Sequence, residues 1–207
     1  EVGSTVFVTG LGGIGISIVQ GARIAGAGKI IVSDPVAERR EAAIHFGATY
    51  TINPDEDEVI PKVLEETKAI GVDYAFEAAG VASLVDTCIN ASRIGGTTVI
   101  VGADASLSTV QILPVLIATM GKKIIGSLLG DCHPQRDIPN FVNLWKSGQL
   151  DLEAMISNRV KLEEKRKREA SNKRYLAKRY KEALEKAEKI ETTRFGARDQ
   201  GTGTTEA

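Results

Sequence analysis

The stretch Gly10-Leu11-Gly12-Gly13-Ile14-Gly15 constrains this chain more than any other segment. It follows an apolar, β-branched run, Thr5 to Thr9 (TVFVT), and opens a helical pattern that continues to Ala25. Each glycine answers a separate demand. Gly10 lets the chain turn tightly off the strand, Gly12 keeps a side chain away from where a pyrophosphate would approach, and Gly15 lets the helix pack closely on the sheet. The free N–H groups at such a helix start, together with its dipole, favour phosphate. The dipole term alone is about 0.3–1 kcal/mol. Glycine turns also arise by chance, so the context decides. A second apolar run, KIIVSD, ends in Asp34, 19 residues beyond Gly15, which is the spacing of a dinucleotide fingerprint. A carboxylate there accepts hydrogen bonds from the adenosine ribose, worth roughly 1.5–3 kcal/mol when charged, and repels a 2′-phosphate. The expected ligand is therefore NAD rather than NADP. Arg39 and Arg40 pull the other way, since arginine near this strand end can receive a 2′-phosphate.

The rest of the first 160 residues repeats the strand-then-helix alternation. Lys29–Ser33, Thr49–Ile52, Asp73–Glu77, Thr97–Val101 and Lys123–Leu128 join Thr5–Thr9 as six predicted strands. Their Val/Ile-rich runs suit strands covered on both faces. Helical patterns fill the gaps at Gly13–Ala25, Val36–Phe46, Glu58–Ile70, Ala82–Arg93 and Val110–Met120, with Gly47, Gly71, Gly95 and Gly96 placed as helix stops. With right-handed crossovers this predicts an α/β fold, a doubly wound six-stranded parallel Rossmann sheet.

Charge divides the chain. Residues 1–160 carry 12 Lys+Arg against 18 Asp+Glu, whereas residues 161–207 carry 14 against 9. Lys161–Glu191 has no Gly or Pro and is dominated by Lys, Arg, Glu and Ala, which predicts a charged C-terminal helix of about eight turns. Leu176, Tyr180, Ala183, Ala187 and Ile190 form a narrow apolar seam on it. Residues 192–207 read as a disordered tail. The expected domains are thus 1–160, 161–191 and 192–207. A solvated single helix, a docking helix using the seam, and a nucleic-acid-binding arm all remain open for 161–191. The last is disfavoured, because Glu163, Glu164 and Glu169 dilute the positive charge. No apolar run reaches the ~18 residues a membrane span needs. Cys88 and Cys132 are too few and too far apart for a disulfide framework or a metal knuckle, and two free thiols predict a reducing, cytoplasmic setting. The chain begins at Glu1, as a piece of a longer protein would.

GSTVFVTGLGGIGISIVQGARIAGAGKIIVSD, followed in order by AIHFGATYTINP, GVDYAFEAAG, GGTTVIVG and KKIIGSLLGD, resembles the cofactor domain of the medium-chain, zinc-dependent alcohol dehydrogenases. The resemblance covers residues 1 to about 164. It implies that Gly10, Gly12, Gly13, Ile14 and Gly15 line the pyrophosphate, and that Asp34 and Arg39 reach the adenosine ribose. It further implies that Ala79, Gly80 and Val81 flank the adenine side. Val101, Gly102 and Ala103 would sit beside the nicotinamide, with Ser127, Leu128 and Leu129 around its carboxamide. All lie at carboxyl ends of strands, where open α/β sheets bind ligands. A homodimer through the sheet edge, near Thr97–Leu128, is a further implication.

The family's chemistry depends on zinc, which polarises the alcohol oxygen. The resemblance places that metal on a separate N-terminal domain, which this sequence does not contain. Cys132 and His133, with Asp131 or Asp137, are adjacent side chains that rarely reach one ion tetrahedrally, and that stretch reads as a polar loop. His45 has no visible partner, and no Ser-His-Asp or Tyr-Lys grouping offers another mechanism. The expectation is no catalytic and no metal residue: a chain that binds NAD(H) without transferring hydride. After NRVKLEE the family pattern stops, as at the seam of a fusion, a chimera or an aberrant reading frame. A non-catalytic dinucleotide module carrying a helical arm is the competing function. A methyltransferase is a third, against which the GxGxxG spacing and the later landmarks weigh.

Overall fold

A computed structural model describes residues 1–103 and 108–162, together with 164, 181 and 185. The expected helix over 161–191 and the tail over 192–207 lie almost wholly outside these residues. Two compact units divide the chain, one comprising Glu1–Ala103 and Thr109–Ser157, the other Asp104–Ser108 and Asn158–Ala207. The first holds the regular structure discussed below.

Six parallel strands form one sheet: β1 Thr5–Thr9, β2 Lys29–Ser33, β3 Tyr50–Ile52, β4 Val72–Glu77, β5 Ser92–Ile100 and β6 Lys123–Gly126. Their order is β3-β2-β1-β4-β5-β6, the doubly wound arrangement in which the chain reverses direction beside β1. Register is regular where Val6 pairs Ile30 on one side and Tyr74 on the other.

The period-2 alternation of β1 and β2 builds a core on each face. Val6, Val8, Ile30 and Val32 meet α1 (Gly13–Ile24) and α2 (Ala37–Phe46) through Ile16, Val19, Ala43 and Phe46. Phe7, Ile31 and Ala75 face the other way, onto Val63 of α3 (Val59–Glu66) and Cys88 and Ala91 of α4 (Ala82–Ala91). Each such side chain contributes about 1.5–3 kcal/mol on burial. Beyond β5 the cover thins: β6 is an edge strand, with Ile125 half exposed.

Several boundaries differ from the sequence expectation, each for a local reason. Helix α3 stops at Glu66 rather than Ile70. The Thr67 hydroxyl donates to the Val63 carbonyl at 2.7 Å and accepts the Gly71 N–H at 3.0 Å, while Lys68 and Ala69 take positive φ. Helix α4 ends at Ala91, and Gly95 and Gly96 fall inside β5, where a register shift accommodates them, rather than at a helix stop. Helix α5 is shorter than expected, Pro114–Met120. The segment read as a polar loop contains a 3-10 turn, Leu129–Asp131, and then α6, Pro134–Lys146. Helix α6 carries Pro139 in its interior, where the missing N–H removes one helical donor.

After α6 the chain doubles back across α1 and α2. The buried Gln20 amide grips Asp151 twice, accepting its N–H at 2.8 Å and donating to its carbonyl at 3.3 Å. Arg23 bonds the Phe46 carbonyl at 3.1 Å and the Gln149 carbonyl, and Met155 packs on the first core cluster.

Candidate dinucleotide-binding site

The glycine turn joins β1 to α1 at the carboxyl end of the sheet. The Gly10 N–H reaches over to the Ser33 carbonyl at 2.9 Å, and its φ of +85° belongs to the left-handed region. A Cβ on Gly15 would lie 1.8 Å from the Gly10 carbonyl oxygen. Close packing at Gly15 is therefore against the turn itself, and it lets α1 begin immediately above the strand. At Gly12 and Gly13 an added Cβ would meet nothing within 4 Å. Their freedom from side chains serves open space at the start of α1, where first-turn N–H groups have no helical acceptor and no side chain caps them.

Asp34 is buried at the end of β2, 3% exposed. One carboxylate oxygen accepts the Leu11 N–H at 2.7 Å and the other accepts the Val36 N–H at 2.9 Å. The acid thus holds the glycine turn and keeps further lone pairs for a ligand hydroxyl. The two neighbouring arginines have separate fates. Arg40 donates to the Asp34 and Pro35 carbonyls at 2.7 and 2.9 Å, so it is spent on the backbone. Arg39 is half exposed, 3.5 Å from the Asp34 carboxylate. It borders a cavity of about 380 Å³ together with Gly12, Gly13 and Met155.

On the other side of the turn a cleft of about 630 Å³ brings together Gly13, Ile14, Val101, Ala103, Ser127, Leu128 and Leu129. Residues expected around the pyrophosphate and the nicotinamide therefore share one cleft at the ends of β5 and β6. Ser127 is fixed there by its N–H on the Ile100 carbonyl at 2.9 Å, while Leu128 and Leu129 are strongly exposed. Ala79, Gly80, Val81 and Gly102 do not line this cleft; they form the turns behind it.

Those turns converge on Glu77, which the sequence reading passed over. Its Oε1 accepts the N–H groups of Ala79, Gly80 and Val81 at 2.9, 2.8 and 3.2 Å. Its main-chain carbonyl accepts those of Val101 and Gly102, both at 2.9 Å. The available signal was an acid closing a strand just before a Gly-containing turn. Cys88 lies nearby, its thiol pushed up to about 12 chiefly by burial, with the Glu77 charge adding to the rise.

Residues 13–147 match the family model for zinc-binding dehydrogenase. The chain belongs to the zinc-binding dehydrogenase family. It is 39% identical over 167 residues to alcohol dehydrogenase-like 5 of Arabidopsis thaliana, covering 79% of this chain and 43% of that one. Among solved structures, an alcohol dehydrogenase zinc-binding domain protein from Burkholderia ambifaria superposes with a TM-score of 0.69 and 36% identity, over 72% of this chain and 40% of that one. A zinc-binding dehydrogenase from Sinorhizobium meliloti 1021, solved bound to NADP, gives 0.69 and 33%, over 76% and 45%. The chain spans less than half the length of these relatives. Its sheet and glycine turn are the nicotinamide-dinucleotide-binding domain of this dehydrogenase family.

The residues weighed for a metal lie apart from this cleft in role. The Asp137 carboxylate accepts the His133 N–H at 2.8 Å and pairs with Arg136 at 2.6 Å, so it secures the start of α6. His45, which looked solitary, meets the Asp151 carboxylate at 3.2 Å. Among the described residues no three His, Cys, Asp or Glu side chains are grouped to hold an ion, so the described residues do not fit the family's zinc. No described helix is long and apolar enough to cross a membrane.

Proposed function

We propose that this chain is the NAD(H)-binding part of an alcohol dehydrogenase-like oxidoreductase. In such an enzyme the bound nicotinamide supplies or accepts the hydride exchanged between alcohol and aldehyde. The buried carboxylate of Asp34, tied to the glycine turn at 2.7 Å, carries the preference for NAD. A fixed carboxylate of this kind accepts the ribose hydroxyls and repels a phosphate on the 2′ position. Arg39 alone of the two arginines is free to turn toward that phosphate, and it stands beside the Asp34 charge. One relative is NADP-bound, so the choice rests on Asp34 rather than on family membership.

Within this reading Gly10, Gly12, Gly13, Ile14 and Gly15 receive the pyrophosphate, and Asp34 and Arg39 the adenosine ribose. Val101, Ala103, Ser127, Leu128 and Leu129 hold the nicotinamide, while Gly102 and the adenine-side residues Ala79, Gly80 and Val81 act from the turns behind the cleft. No residue of this chain is assigned a catalytic or zinc-binding role, and binding without hydride transfer follows for the chain alone. Replacing Asp34 by Gly tests the assignment. NADH affinity should fall while the ratio of NADH to NADPH affinity collapses toward one; a ratio unchanged from the parent refutes it.

Two partner surfaces belong to the same proposal. The edge strand β6, bonded on one side to β5, supports pairing with a second copy near Thr97–Leu128, which sedimentation would read as a dimer. The seam Leu176–Ile190 supports a helical partner on sequence grounds. Two free thiols, Cys88 and Cys132, support a cytoplasmic setting. The division at 160 and 191 remains the proposed domain plan.

A further inference from the structure

We propose that Glu77 is a positioning residue for the dinucleotide: its buried carboxylate holds the turn at 79–81 behind the cleft, against the turn that its main-chain carbonyl holds at 101–102. This rests on the cleft being a dinucleotide site. Glu77 is 1% exposed and gathers five backbone N–H groups, three on Oε1 and two on its own carbonyl. The first three come from residues 79–81, which lead into α4; the other two come from residues 101 and 102, which leave β5. Ala79 also touches the glycine turn, because a Cβ on Gly10 would stand 2.8 Å from the Ala79 Cβ. The carboxylate therefore holds the turn at 79–81, which meets the phosphate turn through Ala79, and its second oxygen lies against Gly102 at the end of β5.

A purely structural acid capping α4 would need only the N–H groups at that helix start. Here the second oxygen, Oε2, meets no protein donor and is aimed instead at the β5 end. A Cβ at Gly102 would fall 2.5 Å from Oε2 and 2.1 Å from the Gly80 nitrogen. The two turns are thus pressed together around the carboxylate, and Gly102 permits that approach. Buried acceptors left without a donor are few in folded chains, and this one sits where the two ligand-flanking backbones close on each other. A loosened Glu77 side chain would release residues 79–81 from their place against the end of β5, shifting the turn that backs the site.

The test uses the full chain as parent, Glu77→Gln and Glu77→Ala, with NADH as the probe. Gln keeps a carbonyl oxygen in place but removes the charge from the three N–H bonds, and charged bonds are about twice as strong. NADH dissociation constants should rise three- to tenfold for Gln and further for Ala. Amide exchange should accelerate at 79–81 while 101–102, whose N–H groups stay on the Glu77 main-chain carbonyl, and β2 keep parental rates, a pattern that general destabilisation would not give. If the Ala variant fails to fold, the Gln variant decides alone. NADH binding by Glu77→Gln within twofold of the parent, or unchanged exchange at 79–81, overturns the proposal. Failure of the parent itself to bind NADH would refute the dinucleotide assignment instead, and the exchange pattern would still decide whether the Glu77 side chain holds the turn at 79–81.

Discussion

Alanine at Gly12 and at Gly15 should act in opposite ways, although both residues sit in the same six-residue turn. A Cβ at Gly15 would lie 1.8 Å from the Gly10 carbonyl oxygen, where 3.0 Å is already a floor for such contacts. At least 1.2 Å of displacement between α1 and the turn is therefore required. Overpacking of that kind costs about 1–3 kcal/mol, which lowers the melting temperature of a chain this size by roughly 2–12 °C. At Gly12 the added Cβ meets nothing, and the backbone (φ −70°, ψ −169°) is open to any residue. Loss of chain entropy in the unfolded state favours alanine there by about 0.4–1 kcal/mol. The poorer helix cap costs a similar amount. Stability of Gly12→Ala should stay within ~1 kcal/mol of the parent, while its methyl occupies the space in front of the helix start and raises the NADH dissociation constant at least tenfold. Thermal unfolding and NADH fluorescence read the two effects separately. Parental NADH affinity in Gly12→Ala would refute the claim that its open face receives the pyrophosphate; parental stability in Gly15→Ala would refute the close approach to Gly10.

Two further outcomes follow from groups away from the turn. Burial pushes the Asp73 carboxyl up, yet the Thr5 N–H and hydroxyl and the Arg93 guanidinium outweigh it and hold the group below its ordinary 3.8. A depressed carboxylate stabilises the fold above its unfolded value and loses that contribution as pH falls through the folded one. Asp73→Asn should therefore destabilise at pH 7 by about 1.5–3 kcal/mol, with the gap to the parent closing below pH 3.8 in urea unfolding; a gap constant with pH would contradict this. The Cys88 thiol, raised to about 12 by burial, should resist a thiol reagent at pH 8 that labels Cys132, and should react only after unfolding. Equal labelling of both in the folded chain would show that Cys88 is not enclosed.

The sheet was legible because its strands are β-branched runs punctuated by glycine, and because both faces of β1 and β2 are buried, which keeps the runs continuous. The glycine turn and Asp34 were legible because their roles depend on local backbone shape and a fixed spacing. What escaped depends on contacts distant in sequence or on a rule locally broken. Helix α6 carries Ile138, Phe141, Val142 and Trp145 at helical spacing, with Pro139 in its midst. The return of the chain over α1 hangs on Gln20 and Asp151, 131 residues apart, and a polar residue in a helix announces nothing of the kind. Glu77 ends β4 much as Asp34 follows β2, yet only the folded turns reveal how many N–H groups it serves. Arg39 and Arg40 look alike in sequence and separate only when Arg40 is seen bonded to the end of β2.

Parallel fluorescence titrations of the parent chain with NADH and NADPH test the assignment most directly. Asp34 should give NADH at least a tenfold advantage, the equivalent of about 1.4 kcal/mol. Equal affinities, or no binding of either, would contradict it.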